Sequence, residues 1–81
     1  MDMRRLVGEN VKRLRLAKGL TQEAYAELSG FSQQYISGLE RGRRNPTVVT
    51  VFELAQAIGA TPLDLLQPVD EFRLVKTASG A

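Results

Sequence analysis

Apolar residues recur at helical spacing through most of the chain and break off at short polar or glycine-containing stretches. Val7, Val11 and Leu14 fall on one face of a helix from about Arg4 to Ala17, which Gly19 ends. Thr21 is a good N-cap for a second helix reaching about Leu28, and a third spans about Gln33 to Arg41 and stops at Gly42. Asn45-Pro46 makes a turn, after which Thr47 caps a fourth helix. Its apolar stripe (Val48, Val51, Phe52, Ala55 and Ile58) is wide, and Gly59 closes it. Thr61-Pro62 supplies a cap and an N1 proline for a short fifth helix carrying Leu63, Leu65 and Leu66. From Gln67 onward the pattern weakens: Phe72 and Leu74 alternate with charged residues, and Thr77 to Ala81 is expected to be disordered. The chain therefore reads as all-α, a five-helix domain over residues 1–66 followed by a tail over 67–81.

The second and third helices are spaced for a tight crossing. Ala26 falls mid-way along the first of the pair, where a larger side chain would hold the other helix away. Gly30 can take the left-handed conformation that a short turn needs, and Ser32 caps the next helix. Ile36 and Leu39 then point back at the first helix. This is a helix-turn-helix pattern over about residues 21–41, and the DNA-binding version lays its second helix in the major groove.

The stretch resembles the phage repressor and Cro family (Xre-like, lambda repressor-like) of helix-turn-helix domains. The likeness extends through Tyr35-Ile36-Ser37-Gly38-Leu39-Glu40-Arg41-Gly42 and Arg44-Asn45-Pro46-Thr47, and covers roughly residues 6 to 66. It implies a compact five-helix fold and sequence-specific binding to double-stranded DNA.

Composition narrows the alternatives. The absence of Cys and His removes disulfides, thiol chemistry, zinc fingers and imidazole catalysis together. Gly38 and Gly42 sit in or beside a helix and form no phosphate loop, and the nine acidic residues are scattered without the spacing of a metal cage. Neither an enzyme nor a cofactor or metal site is expected. No apolar run approaches membrane-spanning length and no signal-peptide stretch opens the chain, so a cytoplasmic, nucleoid-associated protein is the expectation. The net charge of +2 is too small to argue for nucleic acid, but its distribution is informative. Arg4, Arg5, Lys12, Arg13, Arg15 and Lys18 crowd the first helix, and Arg41, Arg43 and Arg44 follow the third.

Two charges sit where apolar residues belong. Arg15 shares the face of Val11 and Leu14, and Glu40 that of Ile36 and Leu39. An unpaired buried charge would cost several kcal/mol, so the two are expected to pair. The resemblance implies the same, because family repressors tie the first helix to the third with an arginine–glutamate bridge. The alternative has Arg15 snorkelling to a phosphate and Glu40 solvated.

With Ile36, Leu39 and Glu40 turned inward, steps of ~100° put Gln34, Gly38 and Arg41 opposite the core and Ser37 at one side. Gln33 lies in the first turn, where a lateral side chain still reaches a base. A glutamine amide donates and accepts together and so suits adenine N6 and N7. The resemblance carries base contact to Gln33 and Gln34, with Ser37 beside them. Gly38 and Tyr35 are further candidate DNA contacts. Gly38 would let the helix sit closer to the groove or mark a base read by shape alone. Tyr35 could pack under Phe31, touch a thymine methyl or bond a phosphate. Backbone contacts are expected from Gln22, which resembles the family's phosphate-binding glutamine at a helix start, and from Arg41, Arg43 and Arg44.

One such module reads few base pairs, so a homodimer on a roughly palindromic operator is expected. Its candidate contact is the apolar surface of the fifth helix and tail: Leu63, Leu66, Val69, Phe72 and Leu74. The tail is too short for an inducer-binding domain, which suits controller proteins, Cro-like repressors and compact regulators. Glu23 and Glu27 read as solvated, although activators of the family touch RNA polymerase through an acidic patch. The rival from another class is an antitoxin or protein-interaction module whose DNA binding is autoregulatory.

Overall fold

Every helix starts at a side-chain oxygen that takes up a backbone N–H otherwise left free at a helix N-terminus. In the computed structural model, which describes residues 2–68, these caps open α1 (Met3–Ala17), α2 (Gln22–Ser29), α3 (Gln33–Glu40), α4 (Val48–Ala57) and α5 (Pro62–Leu66). Thr21, Ser32 and Thr47 accept from Ala24, Tyr35 and Thr50. At α5, Thr61 and Asp64 cap each other reciprocally. Asp2 accepts from the amides of Arg4 and Arg5, which is why α1 begins one residue ahead of the expected start.

One core joins all five helices. Val7 and Val11 of α1 meet Tyr25 and Ala26 of α2, Ile36 and Leu39 of α3, Val51, Leu54 and Ala55 of α4, and Leu65 of α5. The apolar stripe expected on α4 needs correction. Val48 is 87% exposed and Phe52 50% exposed, while Leu54, left out of that stripe, is fully buried. Phe52 lies ~100° round the helix from Val51, and Val48 occupies the first turn, where no neighbouring helix covers it.

Two polar contacts and one close backbone approach lock the helices together. Asn10, fully buried on α1, donates from Nδ2 to the carbonyls of Leu65 (2.9 Å) and Gln67 (2.7 Å). Its Oδ1 accepts from Arg13 Nη2 at 3.1 Å, so the whole amide is used and α5 is tied to α1 where its carbonyls run out. The buried Tyr25 hydroxyl donates to the Leu54 carbonyl at 2.6 Å, joining α2 to α4. Burial, with the negative charge of Glu40 adding to it, pushes the Tyr25 pKa up. Finally, a Cβ on Gly8 would overlap the Leu39 carbonyl oxygen, so only glycine lets α1 approach the end of α3 this closely. Among the described residues no buried side-chain nitrogen or oxygen lacks a hydrogen-bond partner. The expectations for Val69, Phe72, Leu74 and the Thr77–Ala81 stretch lie outside the described residues.

Candidate nucleic-acid interface

α3 is held by its two ends and by its apolar face. Gly30 adopts φ 83° between α2 and α3, and its N–H donates to Ala26 O at 2.9 Å. Ser32 restarts the helix, and Ile36 and Leu39 are driven fully into the core. Burying that face turns the opposite one to solvent. Gln33, Gln34 and Arg41 are exposed and Ser37 is half-buried, and the four line one shallow hollow. Arg41 Nη2 donates to Ser37 Oγ at 2.7 Å, so these two residues act as a unit at the end of the helix.

A buried carboxylate fixes the other side of α3. Glu40 takes Arg15 Nε on Oε2 at 2.6 Å and Arg15 Nη2 on Oε1 at 3.0 Å, with side-chain exposures of only 3% and 8%. Arg15 Nη1 also donates to the Leu20 carbonyl at 2.7 Å. Gln22, the first residue of α2, donates from Nε2 to Glu40 Oε1 at 3.1 Å. Pattern reasoning paired Arg15 with Glu40 but left Gln22 to the solvent side, where it would meet a phosphate. Half of its amide donor capacity is committed to Glu40, and one N–H of the same nitrogen remains.

Gly38 departs from the expected geometry. Helical steps put it directly outward, yet it is buried, because the Arg44 side chain lies across it. A Cβ at Gly38 would stand 3.0 Å from Arg44 Nε and 3.5 Å from its Cγ. It is therefore not a bare spot facing a groove. The Arg44 guanidinium carbon lies 5.3 Å from the Tyr35 ring centroid, and Tyr35 stacks on Phe31 at 5.0 Å with 21° between the rings. Of the alternatives open for Tyr35, packing against Phe31 is the arrangement seen. Burial raises the pKa of its hydroxyl, against the opposing charge of Arg44.

The two basic clusters, far apart in sequence, meet in space. Arg5 and Lys12 of α1 line one hollow together with Arg41 and Arg43, and Asp2, Glu9 and Glu40 line it too. Arg5 is partly neutralised by Glu9 at 3.4 Å, an exposed pair worth little. Arg4 lies elsewhere, along an apolar groove, and Arg13 is engaged with Asn10. Among the described residues no group of His, Cys, Asp and Glu is arranged to hold a metal ion.

The model of a family described as Helix-turn-helix matches residues 11–66. The chain belongs to this family. The uncharacterized HTH-type transcriptional regulator y4dJ of Sinorhizobium fredii is 65% identical over 88% of this chain and 92% of its own length. A crystal structure of the hypothetical transcription factor NHTF from Neisseria superposes with TM-score 0.83 at 31% identity, covering 91% of this chain and 85% of that one. The restriction-modification controller protein C.Esp1396I, solved as a tetramer on its 35 base-pair operator, matches with TM-score 0.73 and 29% identity over 94% and 93% of the two chains. As a family member the chain is a DNA-binding transcriptional regulator of the helix-turn-helix type.

Arg15→Met alone should destabilise the fold by ~3–5 kcal/mol, because Glu40 is left buried without its cation. Urea denaturation of Arg15→Met, Glu40→Leu and the double variant gives the coupling. The double variant is expected to recover much of the loss; purely additive losses would mean that the two charges act independently.

Proposed function

We propose that the protein is a sequence-specific regulator that binds an operator as a homodimer, with α3 lying in the major groove. The observation that carries this reading is the outward face of α3, where Gln33, Gln34, Ser37 and Arg41 line one hollow and Arg41 also borders a second that gathers Arg5, Lys12 and Arg43, on a helix whose other face is locked in the core. Gln33, Gln34 and Ser37 are the base-contacting residues. Arg41 and Arg43 grip the sugar-phosphate backbone, and Gln22 adds its remaining N–H at the start of α2, where free amides also favour an anion. The role is binding rather than catalysis, and its place is the cytoplasmic nucleoid. No helix among the described residues is long and apolar enough to cross a membrane. Glu23 and Glu27 are exposed on α2, open to a contact with RNA polymerase.

The dimer contact belongs to the apolar surface left bare by α4 and α5. Val48, Phe52 and Leu66 line a groove with Met3, Val7, Val51 and Pro62, and Leu63 lies exposed on the same short helix as Leu66. A solvent-facing apolar surface of this kind on a small domain calls for a partner. C.Esp1396I, which binds its operator as a tetramer, supports a second copy of the chain as that partner.

Sites selected from random duplexes provide the substrate for testing the base readers. Gln33→Ala and Gln34→Ala should each lose ~1–3 kcal/mol on the selected site and little on random DNA. Arg43→Ala should weaken both alike and flatten the salt dependence. Equal losses on both DNAs from both kinds of substitution would contradict the assignment.

For the dimer, the melting temperature should rise with protein concentration. Val48→Asp and Leu63→Asp alter side chains that are exposed in one protomer, so they should remove that dependence and weaken a full operator far more than a half-site. A monomer at high micromolar concentration in ultracentrifugation, with and without DNA, would contradict the dimer and leave the groove to a different protein, as an antitoxin would require.

A further inference from the structure

We infer that the groove between α1, α4 and α5 is an effector site for an amphipathic acid, an apolar body carrying a single carboxylate. Its consequence for the operator rests on the reading of the same surface as the dimer contact.

The groove has the dimensions of a ligand site. It holds about 390 Å³, within the ~300–1,000 Å³ of small-molecule sites. Its floor is aliphatic and fixed, because Val7 and Val51 belong to the core. The walls are not covered: Met3, Phe52 and Leu66 are 49%, 50% and 40% exposed. An apolar ligand laid along them would remove that surface from water, which drives binding. Met3 adds adaptability, since its unbranched thioether can follow a ligand's outline.

Polar chemistry selects the head group. Among the described residues that line the groove, Arg4 and Asn45 are the polar ones and Arg4 alone is charged. Both carry N–H donors, which suits a head made only of acceptors. Asp2, the acid nearest to Arg4 in sequence, accepts from the amides of Arg4 and Arg5 and borders the basic hollow instead of the groove. One planar guanidinium matches one carboxylate in charge and shape, whereas the second charge of a phosphate would have no cation. Arg4 lines neither the hollow on α3 nor the basic hollow beside it, so DNA contact does not account for its placement.

Val48, Phe52 and Leu66 border the groove and are also the side chains that a second protomer would cover. Acid and partner therefore compete. Binding the acid shifts the protein toward monomer and releases it from a full operator without touching α3.

The test titrates the full chain, isotope-labelled in its methyl groups, with decanoate below its micelle concentration and with decanol as the uncharged control. The methyl signals of Met3, Val7 and Val51 should shift and saturate at one decanoate per chain, while that of Leu28 stays in place. Arg4→Gln should bind decanoate several-fold more weakly and decanol as the wild type does. Saturating decanoate should lower affinity for a full operator roughly tenfold and leave a half-site unaffected. Arg4→Gln should bind the operator normally and resist that loss. The inference is overturned if the shifts spread through the chain without saturating, if Arg4→Gln binds decanoate as the wild type does, or if a dimeric protein saturated with decanoate keeps its operator affinity. A protein that is monomeric without decanoate would instead overturn the dimer reading, and the methyl shifts with their dependence on Arg4 would still decide the site.

Discussion

The Glu40 carboxylate is the constraint on which the recognition surface depends. It is almost wholly removed from solvent and accepts three side-chain hydrogen bonds, two from Arg15 and one from Gln22. Through them it connects the end of α3 to α1 and to the first residue of α2, while Arg15 extends the connection to the Leu20 carbonyl between α1 and α2. A well-packed apolar pair could supply comparable stability, because desolvation offsets most of the attraction in a buried ion pair. What an apolar pair lacks is direction. The bidentate geometry allows α3 few orientations relative to α1 and α2, and the residues beyond Glu40 inherit that orientation.

Orientation matters because the recognition helix is only two turns long. Its inward residues are spent on packing, and its outward residues are few. Gly38 lowers helix propensity by ~1 kcal/mol relative to alanine, a cost that a short helix carries only with help from its caps and core contacts. Ser32 caps the start, and the Arg41 side chain returns to Ser37 at the end. Phe31, Tyr35 and Arg44 stack together, so the surface beside α3 is built by the turn before it and the loop after it as much as by the helix.

Much of this was legible in the sequence because the signals were local. Thr21, Ser32, Thr47 and Thr61 mark helix starts by a mechanism that acts within three residues, and Ala26, Gly30, Ile36 and Leu39 mark a crossing by size and spacing. Arg15 and Glu40 stood out as charges on apolar faces. Asn10 gave the same kind of signal, a polar residue three positions from Val7 on the core face of α1, and went unread because its partners are backbone carbonyls at the far end of the domain. Gly8 depends on how closely two helices approach, which no pattern along one of them records. The exposure of Val48 and Phe52 likewise follows from which helices pack beside α4. The seat of Arg44 required knowing the path of the loop after α3, and helical steps alone put Gly38 in the open. Dimer contact and base readout involve a partner, so the sequence offers them only as exposed residues of suitable chemistry.

The central claim, that α3 of two protomers reads adjacent major grooves, is tested most directly by dimethyl sulfate protection on the selected operator. The reagent methylates guanine N7 in the major groove and adenine N3 in the minor groove, so it reports which groove the protein fills. The account predicts protection of guanine N7 in two tracts centred ~34 Å apart, one helical turn. Protection confined to adenine N3, or a single major-groove tract on a site bound at full affinity, would contradict it.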